Sequence, residues 1–260
     1  ILIEIDSIVN KRSEYRDIVD ILWFPTGGGK TEAYLGVAAF TIFYRRIKHK
    51  DKGAGVTVLM RYTLRLLTIQ QFERAAALIC CCDEIREEKE DLLGKEEISI
   101  GLFVGNAMTP NSLDDARKNL DKILSNGLNS LSEGEGNPCQ LLECPICGVK
   151  LTYMDYKIDS DGMKIYCNNE ECKNHKGAPI YLIDEDIYEK KPTFIISTID
   201  KFARMAWEPR IKNIFGIDTE YDPPELIIQD ELHLISGPLG TIAGIYETAI
   251  DYFCTIGDKR

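Results

Sequence analysis

Apolar positions along the chain fall into two rhythms. Short unbroken runs rich in Ile, Val and Leu occur at Ile18-Val-Asp-Ile-Leu-Trp-Phe24, Val56-Thr-Val-Leu-Met60, Ile98-Ser-Ile-Gly-Leu-Phe-Val104, Thr193-Phe-Ile-Ile-Ser197 and Glu225-Leu-Ile-Ile-Gln229. Runs of that length and β-branched content predict buried strands. Between them lie longer stretches with helical spacing: Thr31 to about Lys48, Leu64 to about Cys82, Leu113–Leu124 and Gly240–Phe253. Strands alternating with helices predict an α/β fold with a doubly wound parallel sheet. Such sheets bind ligands at the carboxyl ends of their strands.

The alternation breaks between Asn126 and Lys190. Ser-Asn-Gly-Leu-Asn-Ser and Ser-Glu-Gly-Glu-Gly-Asn-Pro are loop composition, and a cysteine cluster follows. The expected organisation is therefore a lobe in two parts, 1–130 and 191–260, with an insertion at 131–190. There is no internal repeat.

At 260 residues, 44% hydrophobic and 28% charged, the composition is that of an ordinary globular protein. The apolar runs are too short to span a bilayer. The opening Ile-Leu-Ile-Glu has no basic region of the kind that starts a signal peptide. A cytoplasmic protein with no membrane partner is expected. The chain opens without Met, as a piece of a longer protein would. The net charge of −11 argues against a surface coated in basic groups. It leaves room for a basic groove on an acidic body. The acidic excess concentrates in Asp83–Glu97, which reads as a solvated helix face or loop. The nine cysteines, in a chain without export signals, do not read as a disulfide framework. Cys80, Cys81 and Cys82 lie in an apolar helical stretch and read as packing residues.

Two short strings carry chemistry. Pro25-Thr26-Gly27-Gly28-Gly29-Lys30-Thr31 stands between a predicted strand and a predicted helix. The three glycines let backbone N–H groups turn inward without Cβ clashes, and the helix offers its N-terminus to the same anion. Lys30 adds a point charge toward β- and γ-phosphates, and the Thr31 hydroxyl can ligate Mg²⁺. Asp230-Glu231-Leu232-His233 follows the run Ile227-Ile228-Gln229. Asp230 is placed to hold Mg²⁺, Glu231 to orient and deprotonate an attacking water, and His233 to sense the nucleotide from the nucleic-acid side. Lys30, Asp230 and Glu231 are thus the expected catalytic residues, in one triphosphate pocket with Thr26, Gly27, Gly28, Gly29, Thr31 and His233. The insertion carries a second pattern. Cys144-Pro-Ile-Cys147-Gly is a knuckle, and Cys167-Asn-Asn-Glu-Glu-Cys172 is a second arm. Together the four thiolates can close a tetrahedral Zn²⁺ site with no open position, so its role is structural. His175 can replace Cys172, and Cys139 is a spare.

With both strings in place, the chain resembles a superfamily 2 helicase of the DEAD/DEAH-like group, over most of its length outside the insertion. The resemblance implies a RecA-like P-loop NTPase lobe with a small zinc-ribbon-like insertion, using ATP and Mg²⁺. The strict phosphate-loop pattern wants Gly where Phe24 stands. The Pro-Thr-Gly-x-Gly-Lys-Thr form is the one superfamily 2 helicases use. Arg61-Tyr-Thr63-Leu-Arg65 with Gln70-Gln71-Phe72 looks like motif Ia, and Ser197-Thr198-Ile199-Asp200-Lys201 looks like motif Ib. By that resemblance Arg61, Thr63, Arg65, Gln70, Ser197, Thr198 and Lys201 contact a nucleic-acid backbone. Read without the resemblance, Arg61 and Arg65 have the alternative of being surface charges near a helix start, and Ser197 and Thr198 of capping the helix that follows, a role compatible with phosphate contact. More narrowly, Arg61–Thr68 and Gln229–Gly240 look like the helicase subunit of the DISARM anti-phage defence system. That implies DNA and other defence subunits as partners. No Ser-Ala-Thr motif follows His233 and no second lobe, so a first-lobe piece is expected, with weak ATP·Mg binding and poor turnover alone. Two other functions use the same residues: a double-stranded DNA translocase that does not unwind, and a nucleotide-sensing scaffold whose zinc module recruits a partner.

Overall fold

The computed structural model describes residues 2–255 apart from 11, 17, 24–27, 64 and 236–237. Among the described residues seven strands form two sheets. Helix α1 (Leu2–Val9) precedes the long α2 (Lys30–His49), then β1 (Val58–Tyr62), α3 (Arg65–Glu88), the short α4 (Glu90–Leu93), β2 (Ile100–Phe103) and α5 (Leu113–Asn126). The hairpin β3 (Tyr156–Ile158) and β4 (Met163–Ile165) comes next, then β5 (Ile180–Tyr181), α6 (Asp184–Lys190), β6 (Phe194–Thr198), β7 (Leu226–Gln229) and α7 (Pro238–Thr255). The main sheet runs β5-β2-β6-β1-β7 and every pairing in it is parallel. Cores lie on both of its faces. One gathers Ile42, Met60, Phe72, Ile79, Ile98 and Ile196, the other Leu59, Phe103, Ile187, Phe202 and Phe215. This is the doubly wound arrangement that the alternating pattern predicts. Among the described residues no helix is long and apolar enough to cross a membrane.

Helix α2 shows how the sequence builds the frame. Tyr34, Val37, Ala38, Thr41 and Ile42 recur at helical spacing and are all buried. Arg46, Lys48 and His49 close its last turn, where cations complement the helix dipole. The Arg45 guanidinium is also buried. It donates to the carbonyls of Asp222 and Pro223 at 2.8 Å each and of Ala54 at 3.2 Å. The end of α2 is thereby clamped to the segments entering β1 and β7.

Three differences from the sequence expectation have physical causes. First, Ile18–Trp23 forms no strand: Val19 is 86% and Trp23 90% exposed. An apolar run becomes a strand only where a neighbour takes its N–H and C=O groups. Among the described residues, β7 at the sheet edge pairs only with β1. Phe24, the end of that expected strand, lies outside the described residues. Second, β1 and β6 run further than predicted, so Arg61, Ser197 and Thr198 stand inside the ladder: Arg61 faces Ser197, and Tyr62 faces Thr198. Third, the insertion is not packed by itself. Tyr156, Met163 and Ile165 share the core with Ile98, Ile100 and Leu182. The Tyr156 hydroxyl donates to Leu141 O at 2.8 Å and accepts from Leu141 N at 2.9 Å. Gly162, at φ 125°, lies so close to α6 that a Cβ would stand 2.4 Å from Asp186 Oδ1. The chain rejoins the main sheet at β5, before position 190.

A buried ion pair ties the 3-10 helix Ile199–Ala206, just after β6, to α6. Lys201 Nζ lies 2.7 Å from Asp184 Oδ2, with the two side chains 2% and 1% exposed. The ammonium also donates to Val104 O at 2.5 Å and Asn111 Oδ1 at 3.1 Å, and sits 4.8 Å from the Phe103 ring centre. Burial pushes Asp184 up to about 6 and Lys201 down, each against the pull of the other's charge. Desolvation outweighs attraction here, so the pair adds little net stability while intact. Breaking it is another matter. Asp184→Ala leaves a buried ammonium without its counter-charge and is expected to cost about 3–5 kcal/mol. Urea unfolding at pH 7 reads this directly. A midpoint shift worth less than about 1 kcal/mol would show that the ammonium finds water instead.

Candidate functional site

Thr31 of the first chemical string and Asp230 of the second approach each other across the Tyr34 hydroxyl, while Asp230, Glu231 and His233 do not line the cleft that holds Lys30. Gly29 adopts φ 78°, a left-handed conformation open to glycine, immediately before the first turn of α2. Gly28, Gly29, Lys30, Thr31 and Glu32 line a cleft of about 460 Å³ together with Arg74 from α3. Arg74 and Glu32 form an ion pair at its mouth. Thr26 and Gly27 lie outside the described residues.

Asp230 follows directly on β7. Its N–H donates to Arg61 O at 3.0 Å, continuing the β1–β7 ladder by one rung. Its Oδ1 accepts the Glu231 N–H at 2.8 Å. Its Oδ2 lies 3.0 Å from the Tyr34 hydroxyl, which is also 3.0 Å from Thr31 Oγ1 and 3.3 Å from the Tyr62 hydroxyl. One phenol therefore joins the phosphate-loop helix to the strand end 196 positions away. Burial pushes Tyr34 up to about 12 and raises Tyr62 as well, so both stay protonated donors at neutral pH. Glu231 is held at φ 51°, uncommon for a residue with a side chain, which turns it off the strand line. Its Oε2 lies 3.3 Å from Nδ1 of the exposed His233.

The donor set fits Mg²⁺ and a triphosphate. Hard oxygen donors from Thr31 and Asp230 each lie 3.0 Å from the Tyr34 hydroxyl, beside a glycine turn and a helix N-terminus. Tyr34 and Arg74 were invisible to motif reading. Tyr34 stands one helical turn after Thr31, so the spacing places both on one face, but no motif assigns a role to the Tyr34 hydroxyl.

The residues expected to touch nucleic acid are dispersed. Gln70 is exposed on α3. The Arg65 side chain lies outside what the structure describes. Thr63 Oγ1 is buried without a hydrogen-bond partner among the described residues, as is Thr198 Oγ1. Ser197 is fully buried, with its hydroxyl 3.4 Å from Met60 O. Arg61, 4% exposed, makes a two-pronged contact with Glu247 of α7 at 2.6 and 3.2 Å. Lys201 is taken up by Asp184. In this conformation Arg61 and Lys201 are committed to carboxylates: Arg61 because β1 runs on to Tyr62, Lys201 because it is buried in the 3-10 helix that follows β6.

The four cysteines converge. The sulfurs of Cys144, Cys147, Cys167 and Cys172 all lie within 4.8 Å of one another. Cys144 Sγ is 3.7 Å from Cys172 Sγ, and Cys147 Sγ is 3.4 Å from Cys167 Sγ. Zinc–sulfur bonds of about 2.3 Å at tetrahedral angles put sulfurs about 3.8 Å apart, so the group is the right size for Zn²⁺. Knuckle turns shape each arm: Gly148 N donates to Cys144 O at 2.9 Å, and Cys172 N to Asn169 O at 3.0 Å. A backbone N–H from Val149 holds the Cys147 thiol down to about 7, while burial pushes Cys167 up to about 11. His175 is not in the group. Its Nδ1 lies 2.8 Å from Cys167 O. Cys139 packs in the main core. Asn174, buried, donates to Cys144 Sγ at 3.6 Å and to Cys80 Sγ of α3 at 3.8 Å, and Lys173 pairs with Glu87 of α3. Cys80 thus has a neighbour across the insertion that its helical context did not suggest.

Elemental analysis of the folded protein is expected to give one zinc per chain, falling to near zero in Cys144→Ser. Chelation should raise amide exchange across 144–175. The β3–β4 hairpin should stay protected, because its apolar face remains on the lobe core. Equal loss of protection in both would mean that the metal holds the whole insertion.

No protein-family model matches the chain. A curated relative, the DISARM protein DrmA of Bacillus paralicheniformis, is 42% identical over 304 aligned residues. The alignment covers 98% of this chain and 26% of that protein, so the chain spans about a quarter of its relative's length. Over nearly its whole length, then, this chain is DrmA-like.

Proposed function

We propose that the chain is the ATP-binding motor lobe of an ATP-dependent DNA helicase or translocase that acts in anti-phage defence. The observation carrying this reading is the meeting of Thr31 and Asp230 across the Tyr34 hydroxyl, 3.0 Å from each. Similarity to the DISARM protein DrmA supports the defence setting.

In this reading bound ATP·Mg²⁺ supplies the phosphoanhydride to be cleaved, held by the glycine turn, Lys30, Thr31 and Asp230. The N–H groups at the start of α2 face the phosphate anion. Lys30 and Arg74, both lining the cleft, offset the charge that develops on the γ-phosphoryl oxygens. Glu231 takes the proton of the attacking water, and its bend off β7 leaves its carboxylate free of the strand. His233, beside Glu231 and exposed, reports nucleotide state outward. The four thiolates close a structural zinc site that secures the insertion, and DNA and further defence subunits are the partners. Gln70, Thr63 and Arg65 begin the DNA track at the start of α3.

A second reading, a nucleotide-sensing scaffold, is favoured by one observation. Arg61 and Lys201, expected on a nucleic-acid backbone, are instead engaged by Glu247 and Asp184. ATPase assays on the full-length protein separate the two. DNA should stimulate turnover, and Glu231→Gln should lower it by about 10²–10⁴ while leaving nucleotide binding. Lys30→Ala should weaken binding itself. Turnover indifferent to single- and double-stranded DNA would select the scaffold.

A further inference from the structure

Tyr34 belongs to neither chemical string, yet it is the residue that joins them. It is buried, and its oxygen has three oxygen neighbours: Thr31 Oγ1, Asp230 Oδ2 and the Tyr62 hydroxyl. A phenol has a single proton to give. The Asp230 carboxylate, as the charged acceptor, takes it. The Thr31 hydroxyl then turns its own proton to the phenol oxygen, which leaves the lone pairs of Thr31 Oγ1 free to face a cation. Asp230 is fixed in the same way at its other oxygen, since Oδ1 accepts the Glu231 N–H. Each carboxylate oxygen thus holds one donor and keeps a lone pair. Tyr62, at the end of β1, backs the phenol from behind and lies 3.5 Å from Met60 Sδ.

We propose that Tyr34 is a positioning residue for Thr31 and Asp230: its hydroxyl sets both oxygens in register for Mg²⁺ before nucleotide arrives. The proposal rests on the ATP·Mg²⁺ reading above. Partners of this kind orient metal ligands, and their loss typically costs about 10–100-fold in metal affinity.

The test uses the full-length protein and a fluorescent ATP analogue, titrated with Mg²⁺ from an EDTA baseline. Tyr34→Phe keeps the ring and removes only the hydroxyl. The Mg²⁺ concentration for half-maximal binding should rise by roughly tenfold or more, with binding in EDTA unchanged. Tyr44→Phe, which removes a phenol hydroxyl of the same helix that meets Val9 O instead of the site, should stay near wild type. In an Asp230→Asn background, adding Tyr34→Phe should shift the curve by less than it does in the wild type, because only Thr31 is then left to position. A Tyr34→Phe curve that overlays wild type overturns the assignment, and so does an equal shift in the Asp230→Asn background, which would mark general loosening. Wild-type protein that binds no nucleotide at any Mg²⁺ concentration brings down the ATP reading and this proposal together. Mg²⁺-dependent wild-type binding with an indifferent Tyr34→Phe removes the Tyr34 role alone.

Discussion

Strand β1 pairs with β6 along one edge and β7 along the other, and this double ladder fixes where the cleft side chains stand. Its last residue, Tyr62, reaches the Tyr34 hydroxyl of α2, and the carbonyl of Arg61 accepts the Asp230 N–H just beyond β7. The register of three strands therefore becomes the register of the site. Slipping β7 by one residue against β1 would turn Asp230 to the opposite face of the sheet, away from Thr31. The Arg45 clamp on the segments entering β1 and β7 defends that register from the far end of α2.

Much of this was legible in the residues. Periodicity marked four of the five main-sheet strands and the long helices, because buried parallel strands are near-continuous apolar runs. The two-residue β5 was too short to show a pattern. The cysteine spacing gave the ligand group, since C-x₂-C turns impose their own geometry. The strand reading of Ile18–Trp23 failed because an apolar run records a tendency to be covered and says nothing of which partner covers it. Tyr34 was missed for a related reason: a hydroxyl acquires its role from what arrives opposite it, here Asp230 from 196 positions away.

Strand length also decides the fate of charge. Arg61 read as a free cation while β1 was expected to stop at Met60. Extended to Tyr62, the strand carries Arg61 under α7, where a buried guanidinium requires an acceptor and Glu247 provides it. Lys201 is buried for another reason, in the 3-10 helix just after β6, and is answered by Asp184. Residue type assigns neither, because a lysine or arginine near a strand end is surface or core according to what packs over it.

Helix α3 runs past both chemical centres. Arg74 lines the cleft, Cys80 shares the Asn174 amide with Cys144, and Glu87 holds Lys173. From Arg74 to Glu87 the rise is about 20 Å. One unbroken helix therefore spans the distance between the cleft and the thiolate group, contacting the phosphate-loop neighbour Glu32 through Arg74 at one end and Asn174 and Lys173 at the other.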